Sequence, residues 1–453
     1  MSSDKVTVKA ECATFTGIVK NGCRQFRGIA FAKPPVGDLA FRKPVPYEFD
    51  GGEYDATKGK ANPVQIRGHR NVGFMDEDCL YLNIFIPERF AGRTSLPVIV
   101  WFYGGSYNTG GSGLEEEGSD KLVWDMSFFA DQVGAIVVTF NYRLNAYGFM
   151  YLHGLDPARF DSNCGLYDQL MALKFVKENI SAFGGDPDNI MAAGQSAGAA
   201  AILALAGTEE GKGLFAKAFL QSPNAGHFWT PEEAGKVCRQ TLKYIGVDPA
   251  KPQGIFSMTH DEIQSGCNKV KKMFYRKGIM TCPYSPVIDG TLLKEKPVTA
   301  IRKSDIEIVI GNNKDDAYMF TRAFADFLMP FLSWLLKVKP RQDVEGDYRQ
   351  KLVAGMTDEL YLNHIKDIAE NYSGKLWVYE YGFVTDEMRR EGIPAMHTVE
   401  LSPQFGFTDQ WCDPNAPSTK QAGDTFRKLY RDLAYDTMPY QEYKDSHAKI
   451  VIR

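Results

Sequence analysis

The residues best suited to do chemistry are Gly194-Gln195-Ser196-Ala197-Gly198. A serine hydroxyl is a weak nucleophile and becomes useful only where a base can take its proton. An apolar stretch, Ile190 to Ala193, precedes this serine, and a run of helix formers, Ala199 to Ala206, follows it. Strand, tight turn and helix is the setting in which Gly-x-Ser-x-Gly presents a nucleophile, because only small flanking residues fit the strained turn. The helix would aim its free N–H groups at the serine, where negative charge develops during acyl transfer. Glycine is abundant, 42 in 453 residues, so the bare pattern would also suit a surface turn. The flanking elements and the partners found elsewhere in the chain favour the nucleophile.

A base and a group to orient it must come from other parts of the chain. The histidines after Ser196 are His227, His260, His364, His397 and His447. His397 follows the strand-like run Leu376 to Tyr381 and the loop Gly392-Ile393-Pro394-Ala395-Met396, where a late strand would present it at the top of a sheet. The acid should end an earlier strand. Ile306 to Ile310 runs into Gly311-Asn312-Asn313-Lys314-Asp315-Asp316, and either aspartate suits. The oxyanion of acyl transfer needs preset backbone donors. Ala197 supplies one candidate. Gly105 and Ser106 supply others, in the loop Tyr103-Gly104-Gly105-Ser106-Tyr107 that closes the apolar run from Val98. Glycines there let the backbone turn its N–H groups inward and approach a substrate closely.

Such groups must be carried on rigid elements. Val98 to Tyr103 and Ala135 to Tyr142 read as buried central strands. Leu166, Leu170, Leu173, Val176 and Ile180 fall at helical spacing, and further strand-like runs lie at Ala218 to Ser222, Ile306 to Ile310 and Leu376 to Tyr381. This alternation predicts an α/β fold, a mostly parallel sheet with helices on both faces. The short β-like pieces of the N-terminal third predict antiparallel edge strands. One domain is expected over 1–453, with helical insertions at about 230–300 and about 320–372 over the carboxyl ends of the strands, where ligands bind in such sheets. The run Phe324 to Leu336 reads either as a buried helix or as an apolar wall or lid.

Composition narrows the function classes. The formal net charge of -4 gives no nucleic-acid footprint. The polar start Met1-Ser2-Ser3-Asp4-Lys5-Val6 lacks the apolar core of a signal peptide, and no stretch reaches the roughly 18 apolar residues of a membrane span. A cytoplasmic protein with no stable membrane insertion is expected. None of the eight cysteines forms a Cys-x-x-Cys pair, so no metal site or cofactor is expected and free thiols are.

The chain resembles the type-B carboxylesterases, the family of cholinesterases and bacterial p-nitrobenzyl-type esterases, which are α/β-hydrolases. The likeness is carried by Gly28-Ile29-Ala30-Phe31-Ala32-Lys33-Pro34-Pro35-Val36-Gly37 and by Glu77-Asp78-Cys79-Leu80-Tyr81-Leu82-Asn83. Asn141-Tyr142-Arg143-Leu144, Asn163 to Gln169 and Phe183 to Pro187 add to it. Matching motifs span residues 17 to 222 and resume around 306 to 320 and 392 to 406. The resemblance implies Ser196 as nucleophile, Asp316 rather than Asp315 as the acid, and His397 as the base. It implies a pocket walled by Trp229, and Tyr107 beside the oxyanion loop is expected to line it as well. Three departures stand out. Ser106 replaces the third glycine of the oxyanion loop. Val64 stands where many members have the cysteine that pairs with Cys79. The loop from 64 to 78 has no tryptophan, so the aromatic wall for a choline cation is missing.

The function implied is a serine carboxylesterase that hydrolyses esters of small to medium molecules through an acyl-enzyme. Alternatives are a lipase-like or acyl-transferring enzyme with the same three residues. A non-catalytic interaction homologue is a further alternative, although such relatives typically lack the serine or histidine kept here.

Overall fold

The computed structural model describes residues 4–65, 73–276 and 282–453. Met1 to Ser3 of the polar N-terminus and residues 66–72 of the loop noted for its missing tryptophan lie outside the described residues. The strands run in chain order β1 (Lys5–Lys9), β2 (Thr14–Lys20), β3 (Cys23–Ala30), β4 (Glu53–Asp55), β5 (Asn62–Pro63), β6 (Met75–Asp76) and β7 (Tyr81–Pro87). They continue as β8 (Leu96–Phe102), β9 (Ile136–Phe140), β10 (Gly185–Gln195), β11 (Lys217–Gln221), β12 (Glu307–Asn313), β13 (Leu376–Tyr381) and β14 (Lys449–Ile452). Twelve of them form one sheet in the order β1-β2-β3-β7-β9-β8-β10-β11-β12-β13-β14, with β4 beside β2.

Pairing is antiparallel along β1-β2-β3-β7-β9 and parallel from β9 through to β14. The division follows the sequence. Every residue of β8 and β9 is buried, as expected of continuous apolar runs covered on both faces. In β1 exposed and half-buried residues alternate, the signature of an edge. The expected strand ends are less accurate. β10 begins at Gly185, ahead of Ile190, with a break in register between the two. β12 runs past Ile310 to Asn313.

Motif residues far from the serine hold the scaffold together. Asn83 Oδ1 accepts from the Gly28 N–H at 3.0 Å, and its Nδ2 donates to Ser112 O at 2.8 Å. Arg143 grips Asp168 through Nε at 2.8 Å and Nη2 at 2.7 Å, a buried bidentate pair. All eight cysteines are unpaired.

The expected insertions are helical. The first carries Pro231–Tyr244 and His260–Arg276. The second carries Met329–Leu336, Tyr348–Thr357 and Asn363–Asn371, with a π-helical turn, Asp358–Leu362, joining the last two. The apolar run near 330 is neither fully buried nor a wall of the cavity described below. Met329 and Leu332 pack on Leu352, Val353 and Met356, whereas Phe327, Phe331 and Trp334 face solvent. Among the described residues no helix is long and apolar enough to cross a membrane.

Candidate active site

β10 ends at Gln195, and the helix Ala197–Ala206 begins immediately after Ser196. Ser196 therefore sits in the turn itself, at φ 56° and ψ −122°. A non-glycine residue held there stores on the order of 1–3 kcal/mol of backbone strain, which the surrounding packing must offset. The packing is tight. A Cβ on Gly198 would lie 2.1 Å from Phe102 O, so only glycine lets the helix close against the end of β8.

The other groups arrive on neighbouring strand ends. Gly105 and Ser106 follow β8, Asp316 follows β12 and His397 follows β13. His397 Nδ1 lies 2.7 Å from Asp316 Oδ1, and both side chains are buried. The aspartate brought to the imidazole is thus Asp316. Asp315 instead donates its N–H to Ala395 O at 3.0 Å, and burial pushes its carboxyl pKa upward. Asp316 Oδ2 accepts from Ser222 Oγ at 2.8 Å and from the Asn313 N–H at 2.9 Å. With both oxygens engaged, the carboxylate is fixed in orientation.

On its other side His397 meets Gln195, whose amide Nε2 lies 3.1 Å from the imidazole Nε2. The Tyr361 ring stacks on the imidazole at a centroid distance of 5.3 Å, and Phe320 lies at 6.3 Å. The π-helical turn is what carries Tyr361 to this position. Ser196 Oγ makes no hydrogen bond among the described residues.

The N–H groups of Gly105, Ser106 and Ala197 donate to no protein acceptor among the described residues. Gly105 at φ 110° and Ser106 at φ 56° turn the loop through the left-handed region. A Cβ on Gly105 would lie 2.0 Å from Thr109 O, so this glycine is required, whereas Ser106 is tolerated because its side chain is exposed. The loop is braced from outside by Cys282, whose thiol donates to Ser106 O at 2.7 Å and contacts the Asn108 amide.

Below Ser196, Asp316 and His397 lies a buried polar belt. Glu400 is fully buried, and Asn313 Nδ2 donates to its Oε2. Its Oε1 receives Gln221 Nε2 at 3.3 Å. Burial raises its pKa to about 7; the charge of Asp316 adds to the rise, while His397 and the Asn313 bond oppose it. Among the described residues no group of three or more His, Cys, Asp or Glu is arranged to hold a metal ion.

A cavity of about 210 Å³ opens onto Ser196 and His397. Tyr107 lines it with its ring against Phe149, 4.8 Å between centroids, and its hydroxyl is buried without a partner among the described residues. Trp229 is not part of the lining. It stands one layer back, with Nε1 donating to Cys282 O at 3.1 Å and its ring edge-on to the lining residue Phe274. Ser222, Tyr361 and Cys282 carry no local motif; the end of β11 brings Ser222 to the site, and the two insertions bring Cys282 and Tyr361. Gln195 was visible inside the serine motif, but nothing in the sequence pointed its amide at His397.

The carboxylesterase family model matches residues 4–330. The chain is 32% identical over 409 residues to the para-nitrobenzyl esterase of Bacillus subtilis (strain 168), across 87% of this chain and 81% of that protein. It is 31% identical over 422 residues to the phenmedipham hydrolase of Pseudarthrobacter oxydans, again across 87% and 81%. The solved structure of a thermophilic PNB esterase superposes with a TM-score of 0.83 at 28% identity, covering 98% of this chain and 95% of that one. The expectations of an α/β-hydrolase fold and of carboxylic ester hydrolysis therefore hold, and this chain belongs to the carboxylesterase family.

Proposed function

We propose that the chain hydrolyses small to medium carboxylic esters by a two-step acyl transfer in which Ser196 is the nucleophile, His397 the base and Asp316 its orienting acid. His397 takes the proton of Ser196 as Oγ attacks the ester carbonyl, then returns it to the departing alcohol. Asp316 accepts from Nδ1–H, which fixes the tautomer with its lone pair on Nε2 and stabilises the cation as it forms. The N–H groups of Gly105, Ser106 and Ala197 receive the oxyanion, with the N-terminus of the helix Ala197–Ala206 behind them. Water then repeats the sequence on the acyl-enzyme.

The observation that carries this reading is the 2.7 Å contact between His397 and Asp316 beside a serine held at φ 56°, with three unengaged backbone donors around it. The likeness to a para-nitrobenzyl esterase and to a phenmedipham hydrolase favours a small organic substrate. Treating 1–453 as one domain is supported by the single sheet running from β1 to β14. A reducing, cytoplasmic location is supported by the eight unpaired cysteines.

A fluorophosphonate probe followed by intact-mass and peptide analysis tests the assignment. One adduct per chain on Ser196 is expected. An adduct on another residue, or none, would refute it.

A further inference from the structure

The cavity beside Ser196 has an apolar wall of Phe274, Met319, Phe320 and Tyr361 and, on the turn that follows β11, a polar one. The polar wall is unspent. Asn224 Oδ1 is buried and has no hydrogen-bond partner among the described residues. His227, three residues further on, makes no hydrogen bond among the described residues. A buried amide oxygen left unpaired is costly, so a site that keeps one gains when a ligand supplies the missing donor. His227 is held neutral. Burial, with His364 close by, lowers its pKa to about 4, so at working pH the ring offers one N–H donor and one lone pair. His364 sits against the same turn; a Cβ on Gly226 would lie 2.7 Å from its Nε2.

We propose that Asn224 and His227 form a binding site for a neutral secondary amide carried by the ester substrate, with the substrate N–H donating to Asn224 Oδ1 and its carbonyl accepting from the His227 ring. This rests on the esterase reading above and narrows it to amide-bearing esters. A neutral ring and an acceptor oxygen lining one cavity match the donor–acceptor pair of an amide. Neither group offers the opposite charge that an ammonium or carboxylate would require. Plain hydrocarbon in the same place would leave Asn224 Oδ1 unpaired, and sites built to hydrogen-bond a substrate group discriminate against analogues that lack it.

Two matched pairs test this, one for each side of the ester. On the acyl side p-nitrophenyl N-acetylglycinate is compared with p-nitrophenyl pentanoate. On the alcohol side 2-acetamidoethyl butanoate is compared with pentyl butanoate. Each kcat/KM is divided by the rate of hydroxide hydrolysis of the same ester. The amide ester should be favoured about three- to tenfold in at least one pair, the size of one or two net hydrogen bonds. That preference should shrink by a similar factor in Asn224→Leu and in His227→Phe. If Asn224→Leu does not fold, the wild-type ratio and His227→Phe decide. Preference for the hydrocarbon in both pairs, or an amide preference of undiminished size in either variant, would overturn the proposal while leaving the esterase reading intact. Absence of turnover of all four esters would instead remove the esterase reading, and this proposal with it.

Discussion

The side-chain amide of Gln195 donates to Nε2 of His397 at 3.1 Å, the nitrogen that the proposed mechanism requires to take the proton of Ser196. Asp316 holds Nδ1 on the opposite edge at 2.7 Å, so the imidazole is tethered at both nitrogens before substrate arrives. The neutral amide adds no charge at the point where the imidazolium forms.

Gln195→Glu changes that. A carboxylate in place of the amide would stabilise the imidazolium from a second side and make it a poorer base at low pH. The acid limb of kcat/KM against pH should move upward by about one unit, the scale of a close opposite charge. An unmoved limb, or one displaced downward, would mean that the Gln195 amide does not face the imidazole in solution.

Asp316→Asn should cost on the order of 10⁴ in kcat, because the amide favours the wrong imidazole tautomer. Asp315→Asn should cost less than about tenfold, since the Asp315 N–H rather than its carboxylate ties the loop, by a bond to Ala395 O. Steady-state rates of the two purified variants separate these outcomes. Greater sensitivity at Asp315 would reverse the acid assignment.

Glu400 makes stability depend on pH in a predictable sense. Its folded pKa, about 7, lies above the ordinary 4.5. Between these values the unfolded chain releases this proton and the folded chain keeps it. The folded state therefore loses stability as pH rises from about 4.5 to about 7, and the loss is complete above that. Glu400→Gln removes this titration. Relative to wild type, the variant should gain on the order of 2–3 kcal/mol between pH 4.5 and pH 7 in denaturant unfolding. A constant difference across that range would show that Glu400 titrates normally.

Thiol chemistry checks the cysteines. Burial raises Cys238 to about 12 and Cys282 to about 11, so the folded enzyme should react slowly with thiol reagents. Unfolded without reductant, it should titrate close to all eight. A count of two to four would contradict the unpaired state.

Much of the frame was legible because its signals are local. Continuous apolar runs marked β8 and β9, alternating patterns marked the edge, and glycine spacing marked both loops that face Ser196. What was not legible depends on register and on long-range packing. Asp315 and Asp316 are adjacent, and only the turn after β12 decides which one faces His397. Trp229 looked like a pocket wall, yet Phe274, from a helix more than forty residues later, stands in front of it. The run near 330 read as buried or as a lid, because its apolar residues cover all sides of a helix only half of which finds a partner.

The central claim, that Ser196 carries the reaction, is tested most directly by kcat/KM of Ser196→Ala on a chromogenic short-chain ester, with folding verified by thermal melting. Members of such a triad act as a unit, so the account predicts a loss of about 10⁴ or more at an unchanged Tm. Retention of even about a tenth of wild-type activity in a clean preparation would contradict it.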